Sequence, residues 1–354
     1  MSASRALRRA WACGSAVLLV LALLIVAPAA SAHGGHHGKG LRDLAKRPFI
    51  GTAVDMAALA DDAAYRNAIR REFNSVTAEN VMKWETVEPQ QGVADYTAAD
   101  ALVRFARRNG QVVRGHTLLW HNQLPTWLTQ GTFTNEELEA ILRRHIFEVA
   151  GHFRGRIQAW DVVNEAFNED GTLRDTIWLR ALGPDYIAKA FRWAHQADPH
   201  AKLYYNDYNL ESIGPKSDAA LALVRDLRAQ GVPIHGVGFQ GHLGIQYPYP
   251  DTFGENLERF AAAGFEVAVT EADVRMILPV TPEKLATQAT YFGNMMRSCV
   301  AVRRCVSFTL WGFTDRYSWV PGFFDGEGAA TPFDESLRPK PAYFALRDAL
   351  LRRG

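Results

Sequence analysis

The chain has 354 residues, of which 48% are hydrophobic, and its 39 Lys and Arg nearly balance its 38 Asp and Glu, for a net charge of +1. A balance so close to neutral argues against nucleic acid or an anionic membrane as the main partner. The length suits one large domain with a sizeable core.

The N-terminal stretch has the features of an export signal. Three arginines lie among the first nine residues, an uncharged apolar run spans Ala12–Ala30, and Ala30-Ser31-Ala32 forms a small-x-small cleavage site. We therefore predict a secretory signal peptide over residues 1–32 and a secreted protein, by the general secretory or the twin-arginine route. Cleavage removes three arginines and no acid, which lowers the net charge to −2. A retained membrane anchor is the alternative, because the run is about as long as a spanning helix.

Residues 33–40 are rich in glycine and histidine. Glycine at this density resists packing, so we predict a flexible linker with solvated histidines rather than a metal-binding segment. The amino-acid composition does not change along residues 41–354, and this segment is predicted to be one catalytic domain.

Short β-rich segments alternate with amphipathic stretches in this domain, as in parallel α/β proteins. Eight strands are predicted: Phe49–Asp55, Ser75–Ala78, Val112–Leu119, Ile157–Val163, Leu203–Asn206, Gly236–Gln240, Glu266–Thr270 and Val306–Trp311. Eight βα units in one domain of this size predict a closed (β/α)8 TIM barrel. An open doubly wound sheet is the alternative, because a count of strands does not show closure.

The helical stretches carry start and stop signals. Thr134 with Glu137 predicts a capping box, and Thr281-Pro282 predicts a cap followed by proline at the first helical position. Another apolar stripe, which begins at Leu221, should end at Gly231.

Cys299 and Cys305 are the two cysteines outside the predicted signal peptide. In an exported protein, two cysteines this close in sequence are predicted to form a disulfide bond. Two buried free thiols are the alternative.

Polar and aromatic residues follow or end the predicted strands, and in a barrel this end forms the active site. They are Glu79, Asn80, Lys83, Trp84, His116, Trp120, His121, Gln123, Asn164, Glu165, Asn206, Asp207, Tyr208, Asn209, Gln240, His242, Glu271, Asp273, Trp311 and Trp319. Trp193, by contrast, is predicted to be a core residue of a helix.

Two glutamates stand out in this set. Glu165 follows the apolar run AWDVVN, and Glu271 follows VAVT, so both should emerge at the barrel mouth. Paired carboxyls with amides and tryptophans suit glycosidic cleavage, in which one carboxyl protonates the departing oxygen and the other attacks or activates water. Indole rings can stack on the apolar faces of sugars.

These residues occur in longer blocks: NSVTAENVMKWETVEP, GHTLLWHNQLPTW, WDVVNEAF, YYNDYN, GFQGHL, VTEADV and WGFTDRYSW. In sequence and in order, the blocks resemble glycoside hydrolase family 10, the xylanase family, and the resemblance extends from Gly51 to Leu346. The loop after Trp319, VPGFFDGEGAATPF, has one of several lengths found in the family, so its outer contacts are left open.

The resemblance implies the following roles. Glu165 is the acid/base and Glu271 is the nucleophile. Asn164 contacts the sugar 2-hydroxyl, His242 contacts Glu271 and is held by Asp273, and Tyr208 faces the leaving group. The sugar sites on the non-reducing side are lined by Glu79, Asn80, Lys83, His116, Trp120, Gln240, Trp311 and Trp319. Gln123 and Trp319 stand where the family excludes a hydroxymethyl group, which favours xylose over glucose. Cys299 and Cys305 match a disulfide common in the family.

The activity implied is a retaining endo-1,4-β-xylanase that binds xylan and β-1,4-xylo-oligosaccharides through a covalent glycosyl-enzyme. No cofactor or metal is expected, nor any membrane contact after signal cleavage, and the protein is expected to be a monomer. A β-1,4-glucanase or mixed cellulase-xylanase is the alternative within the enzyme class. The alternatives outside it are a non-catalytic xylan-binding barrel and a metal-dependent hydrolase using His116, His121, His242 and Asp273.

Overall fold

The computed structural model describes residues 39–45 and 47–352. The predicted signal peptide and residues 33–38 of the predicted linker lie outside these ranges. Gly40 is buried and directly precedes the first helix. None of the described helices is long and apolar enough to cross a membrane.

The described part of the chain contains ten strands, fourteen α-helices and a 3-10 helix at Asp315–Tyr317. The strands are β1 (Phe49–Val54), β2 (Ser75–Ala78), β3 (Val112–Leu119), β4 (Ala159–Asn164), β5 (Lys202–Asp207), β6 (Gly236–Phe239), β7 (His242–Gly244), β8 (Glu266–Ile277), β9 (Cys305–Leu310) and β10 (Glu327–Gly328). The helices are α1 (Leu41–Leu44), α2 (Met56–Asp61), α3 (Ala63–Glu72), α4 (Trp84–Val87), α5 (Thr97–Arg108), α6 (Thr126–Thr129), α7 (Asn135–His152), α8 (Ile177–Leu182), α9 (Tyr186–Ala197), α10 (Pro215–Ala229), α11 (Phe253–Ala262), α12 (Pro282–Ala301), α13 (Val320–Phe323) and α14 (Pro341–Leu351).

Eight of the strands close into a parallel barrel. Each of β1 to β5 pairs with the next strand, β6 pairs with β8, and β8 pairs with β9. The barrel closes where β9 pairs with β1, with Ile50 beside Phe308. The prediction of a (β/α)8 TIM barrel is confirmed. The open doubly wound sheet is wrong, because an open sheet would leave two of these strands with an unpaired edge.

Seven of the eight predicted strands end within one residue of the observed end. The exception is β8, which we predicted to end at Thr270 and which continues to Ile277. Its outer half has partners of its own, since β7 pairs with it in parallel and β10 pairs with it antiparallel. Glu271 and Asp273 therefore lie within a strand rather than on the loop after it, which fixes their backbone.

The barrel interior is packed with side chains. Every residue of β2, β4 and β6 is buried, as expected of strands covered on both faces. Gly115 in β3 makes room for the indole of Trp160 in β4, because an added Cβ would lie 2.2 Å from two of its ring carbons. Trp193 is buried in α9, as predicted.

The predicted helix signals are confirmed. The Thr134 hydroxyl accepts the Glu137 N–H (3.2 Å) while the Glu137 carboxylate accepts the Thr134 N–H (2.7 Å). The Thr281 hydroxyl caps α12 by accepting the Lys284 N–H (3.3 Å), and α10 ends just before Gly231, which has a positive φ of 67°.

Cys299 and Cys305 form a disulfide bond, which confirms the predicted pairing. The bond joins the end of α12 to the first residue of β9. Both residues are therefore at the end of the barrel opposite the carboxyl ends of the strands.

We expect the Cys299→Ser, Cys305→Ser double variant to have an unfolding free energy about 2 kcal/mol below that of the parent, because opening even a short loop restores entropy to the unfolded chain. Urea denaturation followed by tryptophan fluorescence measures this difference. The catalytic rate of the folded variant should be unchanged, and a folded variant with reduced activity would contradict the structural role.

Candidate active site

The predicted site residues gather at the carboxyl end of the barrel. Glu165, which follows β4, and Glu271, which lies in β8, are hydrogen-bonded there by five of them, Trp120, Asn164, Asn206, Gln240 and His242. This gathering follows from the parallel topology, because every barrel strand ends at the same rim.

Glu165 is held in a turn directly after β4. Its φ is +58°, a conformation that residues with a Cβ rarely adopt. The backbone is fixed on both sides, since the Glu165 N–H donates to the Asn206 carbonyl (2.9 Å) and the Glu165 carbonyl accepts from Arg174 Nε (3.1 Å). The carboxylate accepts from Trp120 Nε1 (2.9 Å) and Gln240 Nε2 (3.1 Å). These contacts give the half-buried carboxyl a defined orientation.

Glu271 is almost fully buried. Asn206 Nδ2 donates to its Oε1 (2.7 Å), and His242 Nε2 lies 3.2 Å from its Oε2. Burial alone would raise the pKa of Glu271, but the charge of His116 and the contact with His242 outweigh burial and hold that pKa below its usual value. The side chain is therefore expected to be ionised at neutral pH.

Two asparagines join the carboxylates. Asn206 Nδ2, which contacts Glu271, also donates to Asn164 Oδ1 (2.9 Å), while Asn206 Oδ1 accepts from the Thr270 hydroxyl (2.7 Å). A Cβ added to Gly238 would lie 2.1 Å from Asn206 Oδ1, so only glycine fits there. Asn206 was recognised in the sequence only as a strand end, because the bridge spans three different strands.

His242 connects Glu271 to a buried acid. Its Nδ1 lies 2.9 Å from Asp273 Oδ2, and the same oxygen accepts from Trp319 Nε1 (2.8 Å). Burial lowers the pKa of His242, but the negative charges of Asp273 and Glu271 more than offset burial and raise it to about 10. His242 is therefore a fixed cation beside Glu271 near neutral pH.

We expect the stabilisation from the His242 charge to be complete below about pH 6.5, where His242 is protonated in both the folded and the unfolded chain. It should be lost as the pH rises toward about 10, because the unfolded imidazole loses its proton first. The difference in unfolding free energy between parent and His242→Gln should therefore shrink over this range. An imidazole NMR titration in the folded protein with a midpoint near 6.5 would contradict the assignment.

A second histidine lies on the other side of Glu271. His116 Nδ1 is 3.1 Å from Asp161 Oδ2 and 3.9 Å from Glu271 Oε1. Arg114 holds Asp161 with two nitrogen atoms. Burial would raise the pKa of Asp161, but the Arg114 charge keeps it below its usual value. Arg114 and Asp161, which the sequence reading missed because they lie inside strands, thus fix His116.

Lys83 is the centre of the group predicted to line the non-reducing side. Its Nζ donates to Asn80 Oδ1 (2.9 Å) and Gln123 Oε1 (2.6 Å), and it lies 5.3 Å from the Trp120 ring centroid and 5.9 Å from that of Trp311. Nearby Glu79 is desolvated, which raises its pKa to about 7. Carboxyl, amide, ammonium and indole groups are thus presented together, a combination suited to sugar hydroxyls and sugar faces.

Tyr208 is connected to the backbone of Glu165 through Arg174. Its hydroxyl accepts from Arg174 Nη2 (2.8 Å), and Lys216 Nζ lies 3.5 Å from the centroid of its ring. The adjacent groove has a volume of about 800 Å³ and is lined by Glu169, Asn209, Glu211, Ser212, Ile213, His242, Leu243, Gly244, Tyr247, Pro248, Tyr249, Pro250, Asp251, Thr252 and Arg275. Arg174 links the ring to the Glu165 backbone, and the sequence reading missed it because it lies outside every strand end.

Glu211 is a further residue that the sequence reading missed. Its buried carboxylate accepts the Gly241 N–H at 2.7 Å. Gly241, with a φ of +80°, separates Gln240, which contacts Glu165, from His242, which contacts Glu271. Glu211 thus anchors the peptide between these two partners.

The histidines named in the metal-dependent alternative do not come together as ligands. In the ranges that the structure describes, no three or more His, Cys, Asp or Glu side chains are grouped to hold a metal ion. Burial lowers the pKa of His121 to about 4, and its ring lies edge-on to the Trp120 ring.

Comparison with known proteins identifies close relatives. The sequence model of glycosyl hydrolase family 10 matches residues 40–349. An endo-1,4-beta-xylanase from Agaricus bisporus is 47% identical over 306 residues, which cover 86% of this chain and 91% of that protein. Endo-1,4-beta-xylanase B from Thermotoga neapolitana is 46% identical over 296 residues, 82% of this chain and 85% of that protein.

Solved structures match over the same region. Native xylanase 10B from Thermotoga maritima superposes with a TM-score of 0.85 at 45% identity, covering 88% of this chain and 98% of that chain. Xylanase 10B from Thermotoga petrophila, solved with xylobiose, has a TM-score of 0.85 at 44% identity, with 88% and 97% covered.

Proposed function

The chain belongs to glycosyl hydrolase family 10, and we infer from this membership and from its site that it is an endo-1,4-β-xylanase. The observation that carries the inference is the pair of carboxylates at the barrel mouth, Glu165 and Glu271, connected through amide side chains. The xylobiose bound by the Thermotoga petrophila relative supports binding of xylo-oligosaccharides by this chain.

A double displacement with retention suits these groups. In the first step Glu271 attacks the anomeric carbon while Glu165 gives its proton to the glycosidic oxygen, so the bond to the leaving chain breaks as the ester bond forms. In the second step Glu165 takes a proton from water, and the hydroxide formed displaces Glu271. The expected carboxyl separation is about 5–5.5 Å, and a separation near 9 Å would indicate inversion.

The surroundings of Glu271 support both steps. His242 and Asn206 compensate the negative charge on its carboxylate before attack. The same contacts stabilise the carboxylate when it leaves in the second step, because the charge returns to the same two oxygens. Preorganised partners of this kind need no reorganisation during the reaction.

The remaining site residues support a preference for xylose. Gln123 is fixed by Lys83 and donates to Glu85 Oε1 (2.8 Å), and Trp319 is fixed by Asp273. Two side chains fixed in this way keep their conformation when substrate binds. They can therefore exclude the hydroxymethyl group of glucose with little loss of conformational entropy. The groove beyond Tyr208 is suited to the leaving chain.

Hydrolysis of xylan, carboxymethyl cellulose and an aryl β-cellobioside in parallel tests the assignment. We expect reducing-sugar release from xylan, with a fall in viscosity early in the reaction because internal bonds are cleaved. A higher rate on carboxymethyl cellulose would favour the glucanase alternative, and binding of xylan without release would favour the non-catalytic one. Loss of activity on addition of a chelator would favour the alternative of a metal-dependent hydrolase.

We also propose that the protein is exported and acts as an extracellular monomer. The N-terminal sequence features support export, and the near-neutral charge is consistent with a glycan substrate. N-terminal sequencing of the culture-medium protein should begin at His33, and light scattering should give the mass of one chain.

A further inference from the structure

The described residues expose only a few aromatic rings to a large extent. Phe323 is the most exposed at 71%, followed by Tyr247 at 58% and Phe344 at 52%. Phe344 lies on α14, away from the barrel mouth. Phe323 and Tyr247 lie at the mouth, on segments that follow β9 and β7.

Phe323 is held rigidly although it is exposed. Its ring packs against Trp319 (centroids 5.2 Å apart) and against Phe324 (4.9 Å). Phe324 in turn lies against the Arg275 guanidinium (4.1 Å), and Arg275 Nε pairs with Glu327 (2.8 Å). A ring that already packs against two neighbours loses little conformational entropy when a ligand packs on its exposed part.

The residues that pack against Phe323 contact residues of the substrate cleft. Trp319 donates to Asp273, which holds His242 beside Glu271. On the other side Arg275 lines the leaving-group groove together with Tyr247, whose ring lies 5.8 Å from the guanidinium. The exposed Phe323 ring therefore lies next to the substrate cleft, one contact away from the residues that line it.

We propose that Phe323 is an outer sugar-contact residue, on whose ring a xylose unit of the same substrate chain stacks at a position distal to the cleavage point. The proposal rests on the proposed xylanase function. A pyranose presents C–H bonds on its face, and aromatic rings with a free face suit such surfaces. We assign xylan to this ring because the ring lies next to the cleft that is proposed to bind the glycan chain. Ile277, Leu278 and Val280 are also exposed nearby, and a protein partner on this patch is the competing outcome.

The test compares Phe323→Ala and Phe323→Leu with Phe323→Trp, using Phe344→Ala as the matched control. Leucine keeps an apolar side chain but removes the flat ring, whereas tryptophan keeps a ring. We expect kcat/KM on long unsubstituted xylan to fall about three- to tenfold in the Ala and Leu variants, the range expected for one aromatic contact. The Trp variant and Phe344→Ala should match the parent. An aryl β-xylobioside has only two sugar units beside the cleavage point, so all variants should match the parent on this substrate.

Three results would overturn the proposal. An unchanged kcat/KM on xylan in Phe323→Ala would show that no sugar uses the ring. An equal loss on xylan and on the aryl xylobioside would show that Phe323 only supports Trp319. A change in mass by light scattering in Phe323→Ala, with kinetics unaltered, would assign the patch to a protein partner. If the parent itself fails to hydrolyse xylan, the proposed function fails first, and that result is separable from the other three.

Discussion

Glu271→Ala is expected to lose hydrolysis of every substrate by on the order of 10⁵-fold or more, since the nucleophile is removed and a good leaving group does not replace it. Xylan and an aryl β-xylobioside should be affected alike. Initial rates on both substrates measure this, with Glu258→Ala, an exposed glutamate on α11, as the matched control expected to equal the parent.

Azide distinguishes a missing nucleophile from a damaged site. In Glu271→Ala, azide should enter from the vacated side, with Glu165 still present to protonate the leaving group, and the product should be an α-glycosyl azide. A β-glycosyl azide from this variant would mean that the two roles are exchanged. Unchanged circular dichroism and xylobiose binding would show that the variant is folded.

Glu165→Ala is expected to separate the substrates rather than to abolish all activity. Xylan needs a proton on its departing oxygen, so its hydrolysis should fall about 10²- to 10⁴-fold. An aryl glycoside with an acidic phenol needs little protonation, so its first step should survive. The second step lacks a base, and the glycosyl-enzyme should accumulate, visible as a burst of phenol followed by a slow steady state.

Added azide should restore steady-state turnover of Glu165→Ala, because azide attacks the glycosyl-enzyme without a base. The product should be a β-glycosyl azide, opposite to that from Glu271→Ala. Glu165→Gln, which keeps the side-chain size, should show the same separation of substrates. Equal loss on xylan and on the aryl glycoside, with no burst, would contradict the acid/base role.

Much of the fold could be predicted from the sequence because the patterns that indicate its strands and helix ends are local. Each barrel strand is a short apolar run, and the residue that follows it must leave the barrel at the same rim. For this reason Glu165 was placed correctly at the end of β4 from the sequence. The helix caps at Thr134 and Thr281 were equally readable, since each bond spans three residues.

The length of β8 was not readable. Its apolar run is broken by Glu271 and Asp273, but β7 pairs with Asp273–Arg275 and β10 with Met276 and Ile277, and these pairings extend β8 to Ile277. The extension matters for the site because it holds Glu271 and Asp273 on extended backbone.

The eight strand positions, the two glutamates at the rim and the pairing of the cysteines could be predicted from spacing along the chain, and the family from the resemblance of whole sequence blocks. Three further features are visible only in the folded chain: the closure of the barrel, the bridge from Asn206 to Asn164 and Glu271, and the positive charge on His242. These features depend on side chains from different strands that meet at the largely buried mouth of the barrel. There the energy of each charge and each hydrogen bond is set by its neighbours in three dimensions rather than by its neighbours in the chain.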